Sequence, residues 1–443
     1  MRHGNCGNSE FRIQNSQPNT PPASNIVPHL ALLALAVGLA AIFYHIARLP
    51  DAQSQTPEVI AWLLAAGILY LAGAFLVERC MLGAFGLAII LAAALIFRWL
   101  LLPAPPALST DVYRYQWEGR VERAGINPYT TYPAALSRLR LEDPEHPLQV
   151  GQFIPTLYPP LSEWSFSWVK TVPGYKRLYT GLDVASLGVL LLILAVRKQS
   201  LARVVIYAWN PAVVVAFAMC GHHDSLAILA LLVANLFIIE QRGRLSILFV
   251  ALSFLSKFFS ALMLPVFLKR TRWVYGLLFA GVVAAAYLPY ASAGRKLPGG
   301  LRQYAGAWEN NDSFFRLLLL AGNTRAQAGL ISAVLLAALL LYVMRCRLEP
   351  LRACLFLIAG LLLLSPNAFP WYFTWLIPFL CFYPSSPWLL LSVTCVLGYA
   401  PVVEYAAGQP YKDSPLMLAL EYVPVFVWLG YAKTQRAPRF APR

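Results

Sequence analysis

Charge is what this chain lacks. Only 12% of its 443 residues are Asp, Glu, Lys or Arg, 59% are hydrophobic, and mean hydropathy is +0.59. A soluble domain carries about a quarter of its residues as charges, so a water-exposed globule is excluded. Short alternating segments are also missing, which excludes a transmembrane β-barrel. No Cys-x-x-Cys pair occurs. The seven cysteines (Cys6, Cys80, Cys220, Cys346, Cys354, Cys381 and Cys395) mostly lie in apolar runs and read as small hydrophobes, not as a disulfide or zinc framework. Glycine-rich nucleotide fingerprints are absent. Acidic residues are few, 20 against 35 Lys and Arg, for a net charge of +15. In a membrane chain such an excess belongs to cytoplasmic loops, so nucleic acid is not an expected partner.

What is present is a succession of continuous apolar runs. They predict an all-α polytopic integral membrane protein with about 12–14 transmembrane helices. Residues 1–27 are polar and rich in Asn, Pro and Ser, a disordered tail. They are no signal peptide, because the apolar core starts at Pro28 and is too long for an h-region. The transmembrane domain runs over 28–432, and 433–443 form a basic tail. Spans are predicted at 28–48, 58–78, 82–102, 178–196, 203–220, 225–240, 273–290, 326–344, 351–365, 371–383, 387–403 and 414–432.

The stretch 245–268 is harder. A single crossing would put Lys269, Arg270 and Arg272 outside, against the positive-inside rule. A hairpin repairs this, with "LSILFVALSFLSK" going up, "FFSALMLPVFLKR" returning and Lys257 at the outer turn. Such broken elements are tolerated where protein encloses them or they line a cavity. Every basic cluster then faces the cytoplasm, as do both termini. The long loop 103–177 falls outside, along with Gly221–Asp224, Lys257, Trp308–Ser313, Ser365–Tyr372 and Val402–Ser414. No ionisable group stands out at mid-membrane, where a pump or carrier would place it. Polar groups gathered at one membrane surface point instead to an enzyme acting on a lipid-linked substrate.

The outer loop is too long to be a plain connection. "VYRYQWEGRV" has amphipathic helical spacing and "LYPPLSEWSFSWVKTV" is apolar enough for the interface, so interfacial helices are expected. "AGINPYTTYP" between them reads as a turn, through Gly125 and Asn127-Pro128.

These motifs, "EGRVERAGINPY" and "LYPPLSEW", followed in order by "GHHDSLAILALLV", "LSFLSKFFSALMLPVFLKR", "AWENNDSFFRLLL" and "SPNAFPWYFTWLIPFL", resemble the GT-C superfamily of glycosyltransferases. The likeness is to the polyprenol-phosphate-mannose-dependent mannosyltransferases of glycosyltransferase family 87 and to the enzyme that adds the first mannose of the glycosylphosphatidylinositol anchor. It covers most of residues 100–385. One position departs: the anchor enzymes carry Asp-x-Asp in this loop, and here Tyr113 stands at the second place, leaving Asp111 alone.

The resemblance implies an inverting transfer of a hexose, mannose by family weight, from a polyprenyl phosphate to a lipid or glycan acceptor on the extracytoplasmic face. That chemistry needs a carboxylate to take the acceptor proton and cationic or hydrogen-bonding groups to hold the leaving phosphate. Asp111 is the expected base, although Ser109-Thr110-Asp111 also reads as a helix cap. Glu118 shares its helix face, either helping or pairing with Arg114 or Arg123. Lys257 suits the lipid phosphate, or else snorkels to the interface. His222, His223 and Asp224 open a helix, where N–H groups favour anions. They are expected near the phosphate; a divalent metal on them is weakly signalled, and no cofactor is expected. Asn310, Asn311 and Asp312 are expected to bond sugar hydroxyls, with Trp308 as a stacking platform. Asn367 and Tyr372 are weaker candidates, since aromatics at a boundary also form a belt. Arg114, Arg120 and Arg123 are candidates for lipid head groups. Glu404 and Asp413 have no assignable role.

Two other readings compete. A flippase for a lipid-linked sugar would survive Asp111→Asn better than a transferase would. A polysaccharide polymerase or ligase would rely on several outer arginines more than on one lysine. The short loops and the absence of an organelle signal favour a bacterial plasma membrane.

Overall fold

The computed structural model describes residues 26–135 and 151–434. The polar tails, apart from their innermost residues, and the loop stretch 136–150 lie outside the described residues. No strand occurs among the described residues; the only sheet-like pairing there is a single bridge, Asn310 to Asn367.

Among the described residues, seven helices are long and apolar enough to cross a membrane. They include α1 (Ile26–Ala47), α2 (Thr56–Arg79), α3 (Gly83–Leu101) and, beyond the outer loop, Val172–Val196. Leu201–Ala208 and Pro211–Met219 form a bent apolar pair, broken by 61°, long enough together to count as an eighth span or a re-entrant element. Four shorter apolar helices, Asp224–Ile239, Gly243–Ser256, Pro350–Leu364 and Pro415–Tyr431, add to these. The predicted span 371–383 is not one helix. It is a 3-10 turn, Pro370–Trp375, and a short helix, Ile377–Leu380. Protein encloses it, with every residue but Tyr372 buried through Phe382, so its irregular backbone does not meet lipid.

Contacts sort the chain ends into two layers. At one end Arg203 pairs with Glu78 (2.7 Å) and Arg197 with Glu349 (2.8 Å), while Lys269 donates to the Met344 carbonyl and Arg270 to that of Arg347. The basic clusters in 197–203, 269–272 and 345–347, read from sequence as cytoplasmic, therefore share one end. Arg325 pairs with Glu309 and Arg316 with Asp312 at the opposite end, each neutralised locally. The expected hairpin is present. Gly243, where Gly243–Ser256 begins, comes against Thr271, just past Leu264–Arg270, and Lys257 sits at the tip in extended conformation.

Two charges lie within the long apolar helices themselves. Arg98 of α3 and Asp183 of Val172–Val196 form a buried ion pair, Nε to Oδ2 2.6 Å and Nη2 to Oδ1 3.2 Å. Fork-to-fork geometry of this kind offsets the desolvation of both groups. The same guanidinium donates to the carbonyls of Ala94 (3.1 Å) and Ala208 (2.8 Å). Ala208 lies at the break in the bent span. Pro211 brings no N–H and disfavours helix at Asn210. The Asn210 side chain accepts from the amides of Ala212 and Val213, and Arg98 takes up the Ala208 carbonyl. After the break comes a π-turn, Val215–Met219, then Gly221 at φ +70°. A β-carbon there would also lie 3.0 Å from the Lys176 side chain. The sharp reversal delivers His222, His223 and Asp224 beneath the outer loop.

That loop is built inward. Its first helix, α4 (Asp111–Arg123), buries Val112, Arg114, Tyr115, Trp117 and Glu118, and packs on α5 (Pro160–Ser167). Protein covers most of this helix, so it is packed into the molecule as well as lying over the helix ends. The turn after it forms as read, with Gly125 at φ +69° and Asn127 accepting from the Tyr129 amide.

Removing one partner of a buried ion pair costs about 3–5 kcal/mol. Asp183→Leu is expected to lower the melting temperature in detergent sharply, and Arg98→Leu/Asp183→Leu to recover much of the loss. Equal melting of wild type and the single variant would show that the pair is not a fastener.

Candidate active site

The α3 helix ends at Leu101, and the buried Lys176 ammonium binds the carbonyls of Leu101 and Ala104. This fixes the connection that leads to Asp111. Asp111 is the first residue of α4; Thr110 holds the N-cap position without a side-chain cap bond, and the Ser109 hydroxyl accepts from the Asp111 amide (3.3 Å). The cap reading of Asp111 is therefore not what its carboxylate does. The carboxylate, 21% exposed, faces a cavity of about 440 Å³. Seven stretches line it: Gln53 from the α1–α2 turn, Ala107–Arg114, Gly151–Tyr158, Lys257, Tyr304–Asn310, Phe369–Tyr372 and Val402–Tyr411. Aromatic rings dominate the wall, including Trp308, Trp371 and Tyr372. Such faces suit the C–H side of a sugar ring.

Lys257 enters from the hairpin tip. Its ammonium pairs with Asp224 (3.0 Å) and lies 5.1 Å from the centre of the Tyr372 ring and 5.8 Å from that of Trp375. Asp224 is fully buried and also accepts from Trp375 Nε1 (2.7 Å). The lysine is thus anchored from behind, its charge held at the cavity edge and not snorkelling.

Direct contact of His222, His223 and Asp224 with a phosphate is not what the geometry allows. All three are fully buried behind the wall, because the π-turn and Gly221 turn them inward under α4. His223 is ringed by Tyr115, Tyr158 and Phe166 at 5.0–5.4 Å. His222 stacks on Trp371 at 4.2 Å. Among the described residues, no three His, Cys, Asp or Glu groups gather in a way that could hold a metal ion.

Glu118 takes the pairing alternative, with Arg114 Nε 2.7 Å away. Arg114 also holds the carbonyls of Gly151 (2.7 Å) and Ile154 (3.0 Å), and so closes the returning strand of the loop over the cavity. Arg123 donates to the Val169 carbonyl (2.8 Å). Asn310 and Trp308 line the cavity; Asn311, Asp312 and Asn367 support it from behind. Asn311 accepts φ +51° and donates to the Ala368 carbonyl (2.9 Å) and Glu421 (3.0 Å). Asn367 donates to the Trp308 carbonyl (2.9 Å). Asp413, without a role in the sequence reading, accepts from the Asn311 amide (2.7 Å) and staples this turn.

Sequence reasoning missed Gln53, Tyr158, Tyr304, Phe369, Tyr405 and Tyr411 as lining residues. The signal for Gln53 was available: the predicted topology already put the α1–α2 turn on the same side as Asp111. Burial raises the Asp111 carboxyl to about 6, against the pull of the Lys257 charge. Burial also raises Glu118 to about 7, with Arg114 opposing.

With this geometry in view, residues 28–272 match the N-terminal domain of the MptA/MptB family of alpha-(1→6)-mannopyranosyltransferases, and residues 317–432 match the MptB C-terminal domain. The chain belongs to this mannosyltransferase family. No curated protein and no solved structure matches it. The family assignment agrees with the likeness read from the loop motifs and makes the protein a membrane-embedded glycosyltransferase.

Asp224→Asn removes the charge that anchors Lys257. Transfer is expected to fall about tenfold, equivalent to ~1.4 kcal/mol, mainly through a higher KM for the donor. Trp375→Phe, which deletes one hydrogen bond to Asp224, is expected to have a smaller effect in the same direction. Steady-state kinetics checks both; an unchanged KM in Asp224→Asn would remove Lys257 from donor binding.

Proposed function

We propose that the protein transfers mannose from a polyprenyl-phosphate donor to a hydroxyl of a lipid or glycan acceptor on the extracytoplasmic face of the plasma membrane. The observation that carries this reading is one cavity holding both needed groups: the Asp111 carboxylate, raised towards neutrality, and the Lys257 ammonium.

Asp111 takes the acceptor hydroxyl proton as that oxygen bonds to the anomeric carbon. The bond from that carbon to the phosphate oxygen breaks, and its electron pair leaves with the phosphate. Lys257 faces the charge that grows there. The acceptor attacks opposite the leaving group, so the anomeric centre inverts. An inverting reaction that ends in an α-mannoside, as the family name states, starts from a β-linked donor. Trp308, Trp371 and Tyr372 provide faces for the sugar. A second cavity of about 310 Å³, lined mainly by apolar side chains such as Phe258, Leu297 and Leu301, shares Leu157 and Tyr158 with the first and suits the proximal prenyl units. The extracytoplasmic assignment is supported by the basic clusters at the opposite end of the molecule.

The test uses purified protein in nanodiscs with a panel of polyprenyl-phosphate hexoses. Wild type should consume the mannose donor, and Asp111→Asn should lose about 10²–10⁴-fold in rate. No donor consumed by wild type, or equal rates in both, would contradict the reading. A base must be ionised to act, so the rate should rise with pH through about 6, from roughly a tenth of its plateau at pH 5 to roughly nine tenths at pH 7. A flat profile between pH 5 and 7 would separate Asp111 from the rate.

A further inference from the structure

We infer that His222 is a positioning residue for Asp111, holding and ionising the base from behind the cavity wall. The inference rests on the proposed role of Asp111.

His222 is fully buried, and its ring lies almost flat on the Trp371 indole, 18° from parallel. Stacking alone does not account for a histidine, since phenylalanine would stack there without a buried polar edge. Nε2 has no hydrogen-bond partner. The polar contacts lie on the Nδ1 side, with the Tyr115 hydroxyl at 3.4 Å and Asp111 Oδ2 at 3.7 Å. The backbone is set for this placement: the His222 amide donates to the Ala216 carbonyl across the π-turn (3.0 Å), and Gly221 supplies the left-handed turn. The imidazole is neutral, because burial and the Lys257 charge both push its pKa well below the usual histidine range. With the proton on Nδ1, the ring donates towards ionised Asp111. At 3.7 Å this is a loose contact, of the sort that tightens when substrate closes the site. Once Asp111 has taken the acceptor proton, the Nδ1–H no longer faces an anion and the contact weakens, so the ring favours the ionised base without exchanging a proton itself. The ring gains and loses no net proton, so no co-reactant is needed.

Other groups bear on the same carboxylate. Arg114 and Tyr115 belong to its own helix; Asp224 and Lys257 face it from the two elements beneath. Lys257 favours the ionised form and Asp224 opposes it. Of these groups Tyr115 is neutral like His222, and its hydroxyl hydrogen-bonds the same carboxylate; His222 therefore acts through its N–H dipole and not through charge.

The experiment titrates the Asp111 carboxyl directly by infrared difference spectroscopy in nanodiscs, assigning the band by its loss in Asp111→Asn. His222→Phe keeps the stack and removes the donor, and should raise the Asp111 pKa by about one unit. His222→Asn places an amide N–H near the Nδ1 position and should restore most of the wild-type value. His222→Gln, whose amide reaches the Nε2 position instead, should not. The transfer rate should follow: in His222→Phe the acid limb moves up by the same amount, with kcat reduced at pH 6 and KM for the donor unchanged. An Asp111 titration that is the same in wild type, His222→Phe and His222→Asn overturns the inference, whether or not transfer is observed. Absence of transfer in wild type, with the infrared shift present, would instead count against the proposed reaction and leave the pairing of the two residues standing.

Discussion

The Arg98 guanidinium joins the membrane scaffold to the site. It meets Asp183 with both arms of its fork and also caps the Ala208 carbonyl, which the break before Pro211 leaves without a helical partner. In a bilayer an unmet carbonyl or an unpaired charge is costly, so each defect here answers the other. The 61° bend that results lets the chain leave its helical path, pass through the π-turn and reverse at Gly221. Without that reversal, His222 and Asp224 would continue along a membrane helix, and Lys257 would have no buried carboxylate to hold it.

The site uses the same logic one layer further out. Polar groups near the cavity are held by a partner on another element or another turn: Lys257 by Asp224, Arg114 by Glu118, Asn311 by Asp413 and Glu421. Asp111 is the group left facing open space, next to one neutral histidine. A low-dielectric wall with one incompletely compensated carboxylate raises its basicity, which suits a base that works near neutral pH.

Much of this was legible in the chain. Apolar runs gave the helical class, and basic loops gave the two ends, including the hairpin with Lys257 at its tip. Asp111 stood out through the resemblance of the loop motifs, which implied a base at this position, although the same residue also read as a helix cap. What could not be read was which polar residues face inward. Asp224 and Asn311 have the composition of ligand-binding residues, yet both are committed to protein partners. That commitment depends on Trp375, Asp413 and Glu421, which lie 102 to 151 positions away in the chain. Arg98 and Asp183 were hidden by their surroundings: each is a single charge in an apolar run, 85 residues from the other, and only tertiary contact makes them a pair. The aromatic lining was underestimated because a membrane boundary is expected to be aromatic regardless.

The central claim is that Asp111 and Lys257 act on one donor molecule from the same cavity. A cryo-electron-microscopy structure in nanodiscs, with a non-hydrolysable polyprenyl phosphonate of mannose, tests it most directly. The account predicts the phosphonate within hydrogen-bond distance of Lys257 Nζ, the prenyl chain leaving past Phe258, and the free face of the anomeric carbon turned towards Asp111. A phosphonate held elsewhere, with Lys257 still closed on Asp224 and no path from Asp111 to the sugar, would contradict it.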